Sequence, residues 1–302
     1  MTEPVNPFAV PHHRQGAVLP LCPYRWPEHD DLYVDVCGSA AAFEQALGEF
    51  DDFGHLVEGG YVLVSGESGC GKSAMVNRLA DRVRAGLGGL GLRTGVVDLT
   101  AVLEDQEESI DQRMELVCGL LPGELRAAGL LRQGAEALWT QNPNPRLVFP
   151  QLSTALEPGT AVVVLLPTPG DLILEVVRYA RTLSSARVVF VTESAMLGDR
   201  LLEIEERLEG FRPAVVVQMR TLTEADVARY VADRLGRHAP GSCPGITPGG
   251  LAALRSMCPS IKTLQKVAHG TYRMVGSATA DLGPEDFHRF RARQLARRGR
   301  QA

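Results

Sequence analysis

The chain has 302 residues, a hydrophobic share of 45% and a charged share of 22%, which permits a large buried core without disulfides or metals. Its longest apolar run, 161–166, is strand-sized and far short of the roughly 20 residues a membrane helix needs. A formal net charge of -5 removes any global reason to expect nucleic acid as a partner, because that affinity comes from clustered Lys and Arg.

Residues 1–37 are rich in proline and aromatics, among them Pro4, Pro7, Pro11, Pro20, Tyr24, Trp26 and Tyr33. That composition resists regular structure and predicts an extended arm, with the three aromatics free to dock on a partner or to pack within the chain. The first residues lack the basic patch and apolar stretch of a secretory signal, which points to the cytoplasm. The scattered cysteines Cys22, Cys37, Cys70, Cys118, Cys243 and Cys258 fit a reducing compartment.

Ser39 reads as the cap of a helix to about 50, and Gly59-Gly60 leads into a strand over 61–64. Residues 66–73, Gly66-Glu67-Ser68-Gly69-Cys70-Gly71-Lys72-Ser73, then match G-x-x-x-x-G-K-[ST] directly after that strand and open a helix to about 85. The glycines let backbone N–H groups converge on phosphate oxygens, and the helix N-terminus adds positive potential. Lys72 is expected on the β- and γ-phosphates and Ser73 on Mg²⁺. Cys70 occupies a variable position of the loop, either as a reactive thiolate favoured by Lys72 or as plain filling.

The glycine-rich stretch 86–91 reads as the end of that helix, before a second strand at 94–99. Residues 101–158 look helical, interrupted at Pro122 and at Asn142-Pro143-Asn144-Pro145. Runs of β-branched residues at 161–166, 187–192 and 213–219 alternate with helix-length segments at 171–184 and 197–209. The pattern is α/β: a parallel P-loop sheet core flanked by helices, over 38–220. Only helices follow, at about 223–235, 248–257, 260–276 and 284–298. Thr221-Leu222-Thr223-Glu224 serves as a capping box for the first, and Thr247-Pro248 opens the second. Residues 221–302 thus form a smaller C-terminal all-α lid domain.

In this order the elements resemble the AAA+ P-loop ATPases, closest to secretion-type, origin-recognition-type and signal-transducing members. Beyond residues 66–73 the resemblance rests on Arg187-Val188-Val189-Phe190-Val191-Thr192, similar to the family's sensor-1 strand, and on 215–227, similar to the segment leading into its lid. It implies ATP and Mg²⁺ as cofactors, adenine held between core and lid past the N-terminal arm, and a sensor-2 cation at the start of a lid helix. Lys262, in Cys258-Pro259-Ser260-Ile261-Lys262-Thr263-Leu264, would fill that last place or be a solvated lysine.

The chain departs from the family at its Walker B strand, where an Asp-Glu pair should support Mg²⁺ and orient the attacking water. Ala161-Val162-Val163-Val164-Leu165-Leu166 runs instead into Pro167-Thr168. Neither residue is a base near neutral pH. Of the replacement acids, Glu193 ranks first because the family's sheet order sets sensor 1 beside the P-loop strand. Asp98 would end a strand about 14 Å away, and Asp171 would have to fold back. Glu193 has a second reading as a cap of the next helix, and Thr192 reads as a γ-phosphate or water ligand or as an ordinary strand residue.

Arg207 and Arg212 are candidates for an arginine finger completing a neighbour's site, or for local pairing with glutamates. The tail Arg289, Arg291, Arg293, Arg297, Arg298 and Arg300 could carry nucleic acid, with Phe290 and Leu295 expected to pack on the lid. The expectation is an ATP-dependent switch or assembly factor acting on a protein partner or on its own copies, with weak or absent hydrolysis. The alternative is an active remodelling ATPase using Glu193 or a partner's carboxylate. Phosphate transfer to a small molecule is disfavoured, since no acceptor site or arginine-rich closing lid is recognisable.

Overall fold

The computed structural model describes residues 5–13, 18–101, 109–141, 144–169, 173–182, 185–196, 198–209, 214–276 and 280–298. Five β-branched segments become strands: β1 (Gly60–Ser65), β2 (Arg93–Asp98), β3 (Thr160–Leu165), β4 (Val188–Ser194) and β5 (Ala214–Gln218). They form one parallel sheet in the order β2-β3-β4-β1-β5. The strands show continuous apolar runs rather than alternation because both sheet faces are covered. Val62, Val64, Val163 and Val191 enter one core, and Leu63, Val162, Val164 and Phe190 enter the other.

On the first face lie α1 (Ser39–Phe50), α2 (Lys72–Gly89) and the lid helices α9 (Glu224–Gly236), α10 (Pro248–Met257), α11 (Ile261–Val275) and α12 (Pro284–Arg298). The second face is covered by α3 (Ile110–Ala127), α7 (Ile173–Thr182) and α8 (Asp199–Leu208), with the short helices α4 (Ala137–Gln141), α5 (Pro145–Val148) and α6 (Leu152–Ala155) beside them. Arg113 of α3 and Glu175 of α7 form a buried two-pronged ion pair, Nε to Oε1 at 2.8 Å and NH2 to Oε2 at 2.5 Å. Such a pair fixes how two helices meet, because neither charge tolerates a dry environment alone.

Several boundaries differ from the sequence reading for local reasons. Pro122 lies inside α3 without interrupting it, since Met114, Val117, Cys118, Leu121 and Leu125 keep one continuous buried stripe across it. The α2 helix runs through the glycine stretch to Gly89. Leu87 is fully buried there, and the space a Cβ on Gly86 would need is filled by the Phe53 ring, 2.5 Å from that position. Gly38, not Ser39, caps α1, while the Ser39 hydroxyl accepts from Val36 N and donates to Val34 O. The lid's capping box is Thr223 with Asp226, two residues beyond the expected one. Asp226 Oδ2 also accepts from Cys37 N, which ties the lid's first helix to the end of the arm. On α12, Phe290 packs as expected, but Leu295 is exposed.

The arm is not simply extended. Phe8 inserts between Tyr230 and Tyr272 of the lid, with ring centroids at 6.0 and 5.3 Å, and is 1% exposed. Asn6 Nδ2 donates to His269 O on α11. Further along, a short 3-10 helix (Pro27–Leu32) carries the chain across α2, where Asn77 Nδ2 donates to Leu21 O at 2.7 Å and Tyr33 OH donates to Ala74 O at 2.7 Å. The arm therefore straps lid to core. Phe8→Ala should cost about 3–5 kcal/mol, the range for emptying a buried phenylalanine site. Urea unfolding checks this, and amide exchange over 5–13 should accelerate in the same variant.

Candidate functional site

The loop 66–73 leaves β1 with Gly66 N donating to Ser194 O at 3.2 Å and enters α2 through Gly71, whose φ is 105°. Gly69 also takes a left-handed φ, 80°. A side chain there would strike the lid, because its Cβ would lie 2.8 Å from Ser260 Oγ. Backbone conformation thus calls for glycine at both positions, and at Gly69 the approach of α11 calls for it a second time. That approach is direct: Lys262 N donates to Gly69 O at 3.2 Å. The N-terminus of α11, capped by Ser260, is set against the N-terminus of α2.

Lys72 is buried, and its ammonium donates to Gly66 O at 2.8 Å and Glu67 O at 2.9 Å. A cavity of about 280 Å³ opens beside it, walled by residues 68–75 of the loop and α2, by the arm at Leu19, Tyr33 and Val36, and by Tyr230, Arg234 and Lys262 of the lid. A second cavity of about 340 Å³ lies on the other side of Ser73, between the strand tips and arm residues Cys22, Tyr24 and Arg25. Ser73 and Glu193 line both.

Glu193 stands within β4, paired in register with Val64, and α8 starts six residues later behind Gly198. It is a strand residue beside the loop and does not cap that helix. Its Oε2 is buried and has no hydrogen-bond partner. A buried carboxylate oxygen without a donor is costly to leave so, and a cation or a bound water is what such an atom accommodates. Asp98 ends β2, three strands from β1, and its carboxylate is already engaged. Oδ2 accepts from Tyr24 OH at 3.0 Å and Arg25 NH2 at 2.8 Å, and Oδ1 accepts from Thr100 N and Oγ1.

Pro167 and Thr168 follow the tip of β3, as the sequence places them, and Thr168 faces the second cavity. Thr192 lines neither cavity. Its hydroxyl donates to Pro167 O at 3.2 Å, which fastens β4 to the β3 tip. Asp171 and Arg212 lie outside the described residues. Arg207 is exposed and paired with Glu203 one turn back at 2.5 Å. Of the tail arginines, Arg289 lies 3.8 Å from Asp286, Arg300 is outside the described residues, and the side chains of Arg297 and Arg298 are not described. Among the described residues no group of three or more His, Cys, Asp or Glu could hold a metal, and no helix is long and apolar enough to cross a membrane.

Cys70 is buried under Gly66, and burial raises its thiol pKa against the opposing pull of Lys72. Desolvation wins, so the protonated thiol is the filling reading of this position and not the reactive one. At pH 7.5 Cys70 should alkylate about tenfold or more slowly in the folded protein than after unfolding, read by mass mapping of iodoacetamide adducts.

Two residues of the site left little trace in the sequence. Arg234, on the third turn of α9, is 3% exposed and lines the first cavity, yet in sequence it is one arginine among many. His13 lines the second cavity within an aromatic cluster, 6.2 Å from Trp26 and 5.2 Å from His29 by ring centroids. His29 accepts from Cys22 N at Nδ1, and its Nε2 donates to Pro11 O. Burial, with His29 and His12 alongside, lowers the pKa of His13 below 6.5. Since the unfolded chain then binds the proton more readily, this contribution to stability is complete above about pH 6.5 and is lost as pH falls through the folded value. Amide protection of the arm should drop as pH falls below about 6.5, and a His13→Gln variant should flatten that step.

Solved structures share this architecture. The Aeropyrum pernix ORC1 protein in complex with DNA aligns over 90% of this chain and 68% of its own, at 13% identity and a TM-score of 0.55. The ADP form of the Aeropyrum pernix ORC2 protein aligns over 83% and 66%, at 11% identity and a TM-score of 0.49. For domain III of the Thermotoga maritima replication initiation protein DnaA the coverages are 86% and 93%, at 10% identity and a TM-score of 0.45. No protein-family model and no curated protein sequence matches the chain. At these identities the likeness is one of fold, carried by the ORC1 structure, the sheet order and the loop after β1: the chain has the fold of the AAA+ P-loop ATPases.

Proposed function

We propose that the protein is an ATP-binding switch whose occupied state holds lid, arm and core together as a surface for a protein partner or a second copy, with weak or absent hydrolysis. The observation that carries this reading is the β3 tip, where the strand runs into Pro167 and Thr168, the two positions at which the resemblance would imply catalytic acids. Residues 66–71 would hold phosphate oxygens through backbone N–H groups. Lys72 would exchange its two loop carbonyls for the β- and γ-phosphates, and Ser73 with Glu193 would hold Mg²⁺. The fit is supported by the orphaned Glu193 oxygen, the two left-handed glycines and a cavity continuous with the loop. When bound, Mg²⁺ would neutralise charge on the phosphates.

The lid senses occupancy through Lys262, whose backbone already bonds Gly69. A lysine there offers charge without arginine's planar fork, which suits phosphate attraction better than precise transition-state geometry. The cytoplasm is the compartment this reading assumes.

A second reading, an active AAA+ ATPase remodelling DNA-bound or protein complexes, is favoured by Glu193 itself: one carboxylate with a free oxygen in the cavity that holds Ser73. Turnover of purified protein separates the two. The switch reading expects a rate well below the roughly 1 s⁻¹ of working enzymes and tight Mg-dependent ATP binding that Lys72→Ala abolishes. Turnover at or above that rate, lost in Lys72→Ala and reduced about a hundredfold or more in Glu193→Gln, would replace the switch by the enzyme.

A further inference from the structure

The first cavity holds a cation that the phosphate chemistry does not use. Arg234 is buried on α9, and one of its terminal nitrogens donates to Leu32 O of the arm at 2.9 Å. Its guanidinium carbon lies 5.2 Å from the centroid of the Tyr230 ring. The Nε–H is buried and unpartnered, and Arg234 forms no ion pair with any carboxylate among the described residues. Arginine keeps its charge and carries only donors. A buried donor on a permanent cation is therefore a standing demand for an acceptor.

The place of Arg234 in the cavity decides which acceptor. α9 begins at Glu224, shortly after β5, whose end is bonded to β1 through Met219 N and Ser65 O. Ten residues of helix carry Arg234 about 15 Å from that start, to where it meets the arm at Leu32 O. The arm supplies the apolar residues Leu19, Leu32, Val34 and Val36 to the wall of the same cavity. Phosphates belong at the loop, where Lys72 bonds Gly66 O and Glu67 O and Lys262 N bonds Gly69 O. An apolar slot with one planar donor at its rim fits an aromatic base seen edge-on.

We propose that Arg234 reads the base of the nucleotide, donating to an acceptor on the edge of a purine; this rests on the phosphate-cradle reading of residues 66–73. Adenine offers single ring nitrogens, each flanked by a donor or a C–H, whereas guanine presents O6 and N7 side by side. An all-donor arginine thus does not reject guanine. The site takes purine triphosphates, with GTP bound at least as tightly as ATP, and it disfavours pyrimidines, whose smaller ring falls short of the guanidinium.

The test is titration calorimetry of the full chain with Mg²⁺ and, in turn, ATP, GTP, UTP and inorganic tripolyphosphate, for the wild type, Arg234→Met and Arg234→Lys. Both purine nucleotides should bind the wild type about tenfold or more tightly than UTP. Arg234→Met should erase that preference while tripolyphosphate affinity stays within about twofold. Arg234→Lys, which can still serve Leu32 O, should fall between. An equal loss for ATP and UTP would assign the arginine to the ribose and overturn the proposal, as would a loss of tripolyphosphate binding in both variants, the mark of a collapsed arm. Clear rejection of GTP by the wild type would also overturn it. Failure of the wild type to bind tripolyphosphate, or binding indifferent to Lys72→Ala, would bring down the cradle reading together with it.

Discussion

Positive charge gathered around one half-open cavity is the constraint on which this architecture depends. Lys72, Lys262 and Arg234 line a single cavity, Lys72 and Arg234 are buried, and Glu193 is the carboxylate that faces them there. Water stabilises exposed cations cheaply, but inside a protein each one needs acceptors at short range. Backbone carbonyls supply part of that need: Gly66 and Glu67 for Lys72, and Leu32 for Arg234. A polyanion with an aromatic base meets the rest in one molecule, which is why a nucleotide fits better than a simple ion.

The sheet makes this gathering possible. With β1 at the centre of the P-loop side, flanked by β4 and β5, the loop emerges between Glu193 and Met219 and is braced on both sides. The arm and α11 then close over it from different directions. The arm contributes apolar wall and the latch of Tyr24 and Arg25 on Asp98, and α11 contributes a helix N-terminus and Lys262. The latch is polar and half-exposed at Arg25, hence weak, whereas Phe8 in the lid is a deep apolar anchor. The strap is firm at one end and releasable at the other.

The strands, the lid helices and the loop were legible because each has a local cause: β-branched runs, capping residues before helices, and glycines at fixed spacing. The neighbourhood of Glu193 was legible too, but only through the resemblance, since register between β1 and β4 is a long-range property. What was not legible depends on contacts between distant segments. A proline at 122 reads as a break until the buried stripe from Met114 to Leu125 is known to cross it. Gly86, Gly88 and Gly89 read as a terminator until Phe53 is found lying against Gly86. Arg234 looks like any surface arginine until the arm is seen to seal it in. The arm itself, read as extended, owes its path to Phe8 and Asn77, whose partners lie more than fifty residues away in sequence.

The strap also has a kinetic meaning. The arm supplies one wall of the cavity beside the loop and α11 another, so both stand next to any molecule that enters it. Under the proposed reading, the opening of the Tyr24–Asp98 and Asn77–Leu21 contacts would enter the rate of exchange beside the strength of the phosphate contacts. A switch of the proposed kind, with a strap beside its nucleotide, would carry a clock in its dissociation rate. Whatever grips the arm sets that clock.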